Sequence, residues 1–256
     1  MDYNGTVYRP PIEANTFLIP ITEGCTHNSC TFCNMYKDVR FRMIPLQNVK
    51  EYLDEVRRIY GERLAHITRV YLVAADPFAL SAKCLLERIA LIEEYIPNLQ
   101  VVTMYARIDN IAHKSDEDLQ ELAKAHVDDL YIGVECALDD VLCGLNKGNT
   151  SEEARKQCLR LNDAGIQHCD LLMLGTAGKG RWHESAVASA AFENEVKPHR
   201  ILVTTMSAFA GTKLDDDIAK GIFTQASERE NLKEERELLS LLDLPECFFW
   251  VVHPLD

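Results

Sequence analysis

Three cysteines within nine residues are the strongest chemical signal in the chain. Cys25, Cys30 and Cys33 follow a short β-favouring run with the spacing C-x4-C-x2-C. In a reducing compartment such clusters bind metal more often than they form disulfides, and nine cysteines cannot all pair with one another. Three thiolates on a short loop suit an iron–sulfur cluster with one iron left for another ligand. Structural zinc would need a fourth protein ligand, for which His27 or a distant cysteine is the candidate.

The composition limits the classes of function. A chain of 256 residues with 47% hydrophobic and 26% charged residues is long enough for one large domain or two small ones. A net charge of −13 disfavours a nucleic-acid partner, including RNA modification. Lys37, Arg40 and Arg42 form a local basic stretch, which scattered solvated charges explain equally well. With no apolar run of membrane-span length and a polar start, we expect a cytoplasmic protein without a membrane partner.

Apolar β-favouring runs alternate with segments of helical periodicity. Strands are predicted at residues 16–22, 70–74, 101–105, 130–134, 169–174 and 201–206, with a further strand or buried edge at 247–252. Helices are predicted at residues 46–60, 81–96, 115–122, 150–165, 183–196 and 227–244. The alternation predicts an α/β fold with a parallel sheet, either doubly wound or closed towards a barrel.

Polar and cysteine residues follow the predicted strands at their carboxyl ends, where both architectures place active sites. In strand order these residues are Cys25, Asp76, Arg107, Glu135 and Gly175. We expect them to line one mouth of the fold. The expected organisation is an N-terminal arm at residues 1–14, a core domain at 15–245 and a C-terminal closing segment at 246–256.

The chain resembles radical S-adenosylmethionine (SAM) enzymes, and among them the Elongator-type and oxygen-independent coproporphyrinogen-oxidase-type branch. The resemblance rests on the cysteine loop with Phe32 before its last cysteine, on Tyr-Ile-Gly-Val-Glu at 131–135, and on Leu-Met-Leu-Gly at 172–175. It covers roughly residues 15–245 and implies a partial (β/α)6 TIM-like barrel of parallel strands with outer helices. Two features depart from the family: the usual spacing is C-x3-C-x2-C, and Ala-Ala-Asp-Pro at 74–77 replaces a Gly-Gly-Glu-like stretch.

The resemblance implies the cofactors. Cys25, Cys30 and Cys33 would ligate three irons of a [4Fe-4S] cluster, and SAM would chelate the fourth iron. Reductive cleavage of SAM would give a 5′-deoxyadenosyl radical that abstracts hydrogen from a small-molecule substrate. An electron donor such as flavodoxin or ferredoxin and an anaerobic setting are implied as well. We expect the extra residue at His27-Asn28 to change the path of the loop without supplying a ligand.

Several residues are candidates for contact with SAM. Ala75 and Asp76 stand where the family contacts the amino group of SAM, and Glu135 suits its ribose hydroxyls or amine. Arg107 suits a carboxylate of SAM or substrate, although a pair with Asp109 fits equally well.

Other candidates have a packing alternative. Phe32, Met35 and Tyr36 flank the cysteines and are candidates for the adenine pocket or for the core. Lys147 is a candidate for an anionic group, and Gly175 for backbone contact with the cofactor.

Cys136 adjoins Glu135 and is the candidate catalytic residue, as a hydrogen-atom donor. The remaining cysteines lack a compact ligand spacing, so packing explains them better than a second cluster. In related proteins the last segment closes the barrel, which would bring Trp250, His253 and Asp256 near the substrate.

Two alternatives to the small-molecule radical SAM enzyme stay open. One is oxidation of a porphyrin-type substrate, suggested by the branch alone. The other is a non-enzymatic iron–sulfur or zinc protein. The sequence does not identify the substrate or the oligomeric state.

Overall fold

The structure is a computed structural model that describes residues 6–252. Its residues divide into two compact units. The first unit contains residues 6–28, 35–131 and 160–167, and the second contains residues 29–34, 132–159 and 168–252.

The described strands and helices follow the predicted alternation. The strands are β1 (Phe17–Pro20), β2 (Thr22–Glu23), β3 (Arg42–Met43), β4 (Arg69–Val73), β5 (Val101–Ala106), β6 (Leu130–Glu135), β7 (His168–Leu174), β8 (Arg200–Thr205) and β9 (Phe248–Val251). The helices are α1 (Leu46–Tyr60), α2 (Ala82–Glu93), α3 (Ile108–Ala112), α4 (Asp116–Lys124), α5 (Asp139–Gly144), α6 (Ser151–Ala164), α7 (Trp182–Val196), α8 (Lys213–Ala219) and α9 (Glu228–Leu241).

The strand order decides between the two predicted architectures. The main sheet has the order β1-β4-β5-β6-β7-β8-β9, and β2 pairs with β3 in a separate antiparallel ladder. The pairs β1–β4, β4–β5, β7–β8 and β8–β9 are parallel. Each strand of the main sheet therefore lies beside the next one along the chain, whereas a doubly wound sheet reverses its order at a switch point. This confirms the α/β class and the topology of a partial TIM-like barrel.

The core of the first unit explains why its strands read as unbroken apolar runs. Tyr71 and Leu72 of β4 are fully buried, as is Ile19 of β1. A strand covered on both faces needs apolar residues at every position, not at alternate ones. The predicted N-terminal arm forms a short 3-10 turn at Pro11–Glu13, and its buried Glu13 accepts a hydrogen bond of 2.5 Å from Tyr131.

Helix starts were predicted well because capping is local. Ser115 and Asp118 form a capping box at α4, and Ser227 and Glu230 form one at α9. Ser81 caps α2 by accepting from the N–H of Cys84.

The sequence pattern missed the short elements α3, α5 and α8 and the β2–β3 ladder. Each helix among them has seven residues or fewer, too few for a hydrophobic period to repeat. No helix within residues 6–252 is long and apolar enough to cross a membrane.

Candidate functional site

The cysteine loop begins just after β2. Gly24, at its start, has a φ of +73°, and a Cβ there would come within 2.7 Å of the Val39 carbonyl oxygen. Only glycine fits this turn, so the residue before Cys25 fixes the path into the loop. None of Cys25, Cys30 and Cys33 forms a disulfide, and all three are half-exposed. They are therefore accessible to a cluster, in contrast to the buried thiols of Cys136, Cys158 and Cys169.

The extra residue of the C-x4-C spacing has a structural role. Asn28 adopts a φ of 43°, its backbone N–H lies 3.4 Å from Cys25 Sγ, and its side chain donates to the Tyr36 carbonyl at 2.7 Å. Burial and the Asp76 charge raise the pKa of Cys25, while the N–H groups of Asn28 and His27 and the Arg107 charge oppose that rise. Backbone N–H bonds to sulfur are a feature of iron–sulfur sites. The chemistry of this donor set therefore fits a cluster.

Asp76 follows β4 and holds the cysteine loop in place through hydrogen bonds. Its carboxylate is fully buried and accepts from the Thr26 N–H at 3.2 and 3.3 Å, from the Thr26 hydroxyl, and from Asn110 Nδ2 at 3.2 Å. Burial raises the pKa of Asp76 to about 6, against the lowering effect of these hydrogen bonds. The Ala75 N–H adds a 3.3 Å bond to the Gly24 carbonyl. Asp76 thus holds the residue next to Cys25, and its predicted contact with SAM stays a prediction.

Arg107 forms an ion pair with Asp109, one of the two alternatives that the sequence allowed. Its Nε lies 3.0 Å from Asp109 Oδ1, and its charge also lowers the pKa of Asp76 and of Cys25. Arg107 therefore lies close enough to both groups to influence them electrostatically.

The part of the cysteine loop in the second unit, residues 29–34, is held mainly by backbone hydrogen bonds. The Thr31 N–H donates to the Leu145 carbonyl at 3.0 Å, and the Leu214 N–H donates to the Thr31 carbonyl at 3.0 Å. Asn146 Nδ2 donates to the Ser29 carbonyl at 2.8 Å. Phe32 packs against an apolar cluster that contains Cys136. The observed contacts of Phe32 are thus those of a packing residue, and its place in an adenine pocket stays a prediction.

Glu135 and Lys147, predicted separately, form an ion pair in the second unit. Lys147 Nζ lies 2.9 Å from Glu135 Oε1, and the side chains are only 8% and 11% exposed. Glu135 has a φ of 67°, rare for a residue with a Cβ. A Cβ at Gly133 would lie 2.7 Å from Glu135 Oε1 and 3.0 Å from Lys147 Nζ. Gly133 therefore provides the space in which the pair forms.

Gly175 at the end of β7 contacts α9. Its N–H donates to Glu234 Oε2 at 3.0 Å, and a Cβ there would lie 2.8 Å from Asn231 Oδ1. Burial raises the pKa of Glu234, against the lowering effect of the hydrogen bond from the Gly175 N–H. The backbone N–H of Gly175 is thus engaged by the protein, and its contact with SAM stays a prediction.

Cys136 is enclosed by apolar side chains. It packs with Val141, Leu142 and Met206, and its sulfur lies 3.9 Å from the Leu138 carbonyl oxygen. Burial raises the pKa of the thiol to about 11. The surroundings are those of a packing residue, and the hydrogen-donor role stays a prediction.

The remaining candidates are placed as follows. Met35 is 48% exposed beside the loop, whereas Tyr36 is buried and packs edge-on against Tyr8. Trp250 lies in β9, which confirms the predicted last strand, while His253 and Asp256 lie outside the described residues.

Sequence reasoning missed three residues of the site. Thr26 and Asn110 bind Asp76, and nothing in their local sequence signals this. Gly133 did have a signal, because a glycine inside an apolar strand marks a close approach by other groups.

The Radical SAM superfamily matches residues 19–179, more than half of the chain. The chain belongs to that superfamily and is an enzyme of its class. A comparison with curated proteins gives no match.

Solved structures of low sequence identity share the fold of this chain. The methyltransferase TsrM from Kitasatospora setae, solved with cobalamin and a [4Fe-4S] cluster, is 18% identical with a TM-score of 0.63; the match covers 80% of this chain and 39% of that one. Methylornithine synthase PylB is 16% identical with a TM-score of 0.61, covering 94% and 72%. Elp3 of Methanocaldococcus infernus is 16% identical with a TM-score of 0.59, covering 93% and 56%. The chain thus spans well under two thirds of TsrM and of Elp3.

Proposed function

We propose that the chain binds a [4Fe-4S] cluster through Cys25, Cys30 and Cys33, binds SAM, and acts on a small-molecule substrate. The observation that carries the proposal is the set of three half-exposed cysteines, none in a disulfide, on one loop of a Radical SAM superfamily member. Bound cluster and SAM would supply one-electron cleavage of SAM to methionine and a 5′-deoxyadenosyl radical, which abstracts hydrogen. An electron donor such as flavodoxin or ferredoxin belongs to this proposal, as do a cytoplasmic location and anaerobic conditions.

The residues around the loop have orienting roles in this proposal. Asn110 donates to Asp76, which fixes Thr26, and the N–H groups of His27 and Asn28 stabilise the Cys25 thiolate. Gly24 sets the entry of the loop. His27 acts through its backbone and is not a ligand.

The charged residues suit the polar groups of SAM. Glu135 would accept hydrogen bonds from the ribose hydroxyls, with Lys147 holding its carboxylate in place at 2.9 Å. Arg107 would pair with the carboxylate of SAM or substrate. Ala75 and Gly175 would offer backbone contacts, and Met35, Tyr36 and Phe32 are the candidates for the adenine side.

Anaerobic reconstitution with iron, sulfide, reductant and SAM tests the proposal. We expect broad absorbance near roughly 400 nm and formation of 5′-deoxyadenosine. Cys30→Ala should lose both signals. Cys143→Ala is the matched control, since Cys143 is exposed and lies outside the loop.

The outcomes separate the alternatives. Absorbance without 5′-deoxyadenosine, under conditions where the cluster is reduced, would favour a non-enzymatic iron–sulfur protein and contradict the proposal. Zinc in place of iron after anaerobic purification would contradict cluster binding as well.

A further inference from the structure

A second group of metal-ligating side chains lies in the second unit, away from the cysteine loop in the sequence. Cys158 on α6 and His168 and Asp170 on β7 place their ligand atoms within 4.8 Å of one another. All three side chains are buried. His168 and Asp170 are two residues apart on a strand and so face the same side of the sheet.

This group is separate from the carboxyl end of β7, where Gly175 follows. His168 opens the strand and Leu174 ends it. At about 3.3 Å per residue, Asp170 lies roughly 13 Å and His168 roughly 20 Å before that end. The group therefore belongs to the amino end of the strand, where barrel folds do not place their active sites.

The polar atoms of the group lack enough hydrogen bonds. His168 Nδ1 lies 2.8 Å from Asp170 Oδ1. Within residues 6–252, His168 Nε2, Asp170 Oδ2 and both carboxylate oxygens of Glu193 on α7 have no hydrogen-bond partner, although these side chains are fully buried. Buried polar atoms are nearly always satisfied, so four such atoms in one place indicate a missing partner.

The group contains several side chains that can carry negative charge. Cys158, Asp170 and Glu193 are all buried, and Asp170 and Glu193 interact electrostatically with each other and with Cys158. Buried negative charge must be neutralised, either by protons, such as one shared between Asp170 and Glu193, or by a cation.

We propose that Cys158, His168, Asp170 and Glu193 form a binding site for one Zn²⁺ ion, distinct from the cysteine loop. Thiolate, imidazole and carboxylate are the ligands that zinc takes in proteins. Zinc bonds of about 2.0–2.3 Å put tetrahedral ligands roughly 3.3–3.8 Å apart. The ligand atoms of Cys158, His168 and Asp170 lie within 4.8 Å of one another and would have to move closer, and Glu193, which lies outside that group, would have to turn towards them. The Cys158 thiolate and the Asp170 carboxylate balance the two charges of the ion, so Glu193 would take part as a neutral carboxyl group. The bound ion would link α6 and α7 to the first residues of β7, and this cross-link would stabilise the second unit.

The test uses the full-length chain with the loop cysteines removed. In Cys25→Ala/Cys30→Ala/Cys33→Ala, we expect one Zn²⁺ per chain by mass spectrometry of metals. Replacement by Co²⁺ should give thiolate-to-cobalt charge-transfer absorbance. In the same background, Cys158→Ser and Asp170→Asn should each lower metal affinity by at least about tenfold, and Cys158→Ser should also abolish the charge-transfer band.

Cys169→Ser is the matched control. Cys169 is buried on the same strand but faces the opposite side from His168 and Asp170, so its variant should keep the metal and the band. Circular dichroism checks that each variant is folded.

A melting curve of the wild-type holoenzyme gives a readout independent of the substitutions, since removal of zinc with the cluster intact should lower Tm. The proposal is overturned if the folded triple variant takes up neither Zn²⁺ nor Co²⁺. It is also overturned if Cys158→Ser binds as tightly as the Cys169→Ser control. Protons shared between Asp170 and Glu193 would then be the neutralising partner.

Discussion

The cysteine loop and the buried Cys158 group use the same kind of ligand under opposite conditions. The loop thiols are half-exposed, close in sequence, and held by backbone bonds such as that from Asn28 to Cys25. Cys158, His168 and Asp170 are buried and come from a helix and a strand. An accessible site can exchange ligands and admit SAM, whereas a buried one can only hold its ion. Under the two proposals made above, the first site serves chemistry and the second serves stability.

The largest effect should come from replacing one cysteine of each site with alanine. Cys33→Ala should abolish 5′-deoxyadenosine formation while the free energy of unfolding of the cluster-free chain changes by less than about 0.5 kcal/mol. Cys158→Ala should keep the cluster and lower the free energy of unfolding by about 2–3 kcal/mol. Product assays and urea titrations measure these effects. Equal loss of activity in both variants would remove the distinction.

Asp76 tests whether the loop needs orientation as well as ligands. In Asp76→Asn, an amide NH2 at the Oδ1 position would face the Thr26 N–H, and one at the Oδ2 position would face both the Thr26 N–H and Asn110 Nδ2. At least one hydrogen bond would therefore be lost. We expect the rate of 5′-deoxyadenosine formation to fall about 10–100-fold, with lower iron content after reconstitution.

Asp116→Asn is the control for that substitution, because Asp116 is an exposed carboxylate at the start of α4 and pairs with Arg160. Wild-type iron content and rate in Asp76→Asn would show that the carboxylate does not orient the loop.

Substitution of Gly133 tests whether the Glu135–Lys147 ion pair contacts SAM. In Gly133→Ala, the new methyl group would press on Glu135 Oε1 and Lys147 Nζ, at 2.7 and 3.0 Å. If the pair contacts SAM, the KM for SAM should rise roughly tenfold with little change in kcat, equal to about 1.4 kcal/mol of binding. Gly144→Ala is the matched control, because a Cβ there meets no atom within 4 Å. An unchanged KM would separate the pair from SAM binding.

The smallest effect is expected for Lys114. Its buried charge has hydrogen-bond partners, in contrast to the unpaired polar atoms of the buried Cys158 group. Its ammonium donates to the carbonyls of Phe78, Leu80 and Asn110 at 2.6, 3.1 and 3.3 Å. Burial nevertheless lowers its pKa from 10.5 to about 8. The unfolded chain then binds more protons above pH 8, so stability due to Lys114 rises with pH between about 8 and 10.5.

The expected gain is about 1 kcal/mol between pH 8 and 9, measured by urea titration of the cluster-free chain. Lys114→Met should remove that pH dependence. The same pH dependence of stability in wild type and in Lys114→Met over this interval would mean that the lysine keeps an ordinary pKa.

The predictable parts of the fold were those with local causes. Capping at Ser115 and Ser227 and the apolar run of β4 depend on neighbouring residues, so their positions were predicted closely. The short helices α3, α5 and α8 were missed because tertiary contacts, not periodicity, define them. The partners of Asp76 were missed for the same reason, since Asn110 is 34 residues away.

The sequence by itself determined the cysteine loop, because three cysteines within nine residues have a spacing that can be recognised without the fold. It also determined the α/β alternation, because hydrophobic period is a local property. Only the tertiary structure decided what Asp76, Gly133 and Cys158 do. Their partners lie on other elements, and a hydrogen bond, a steric limit or a ligand set formed across the fold leaves no spacing to recognise.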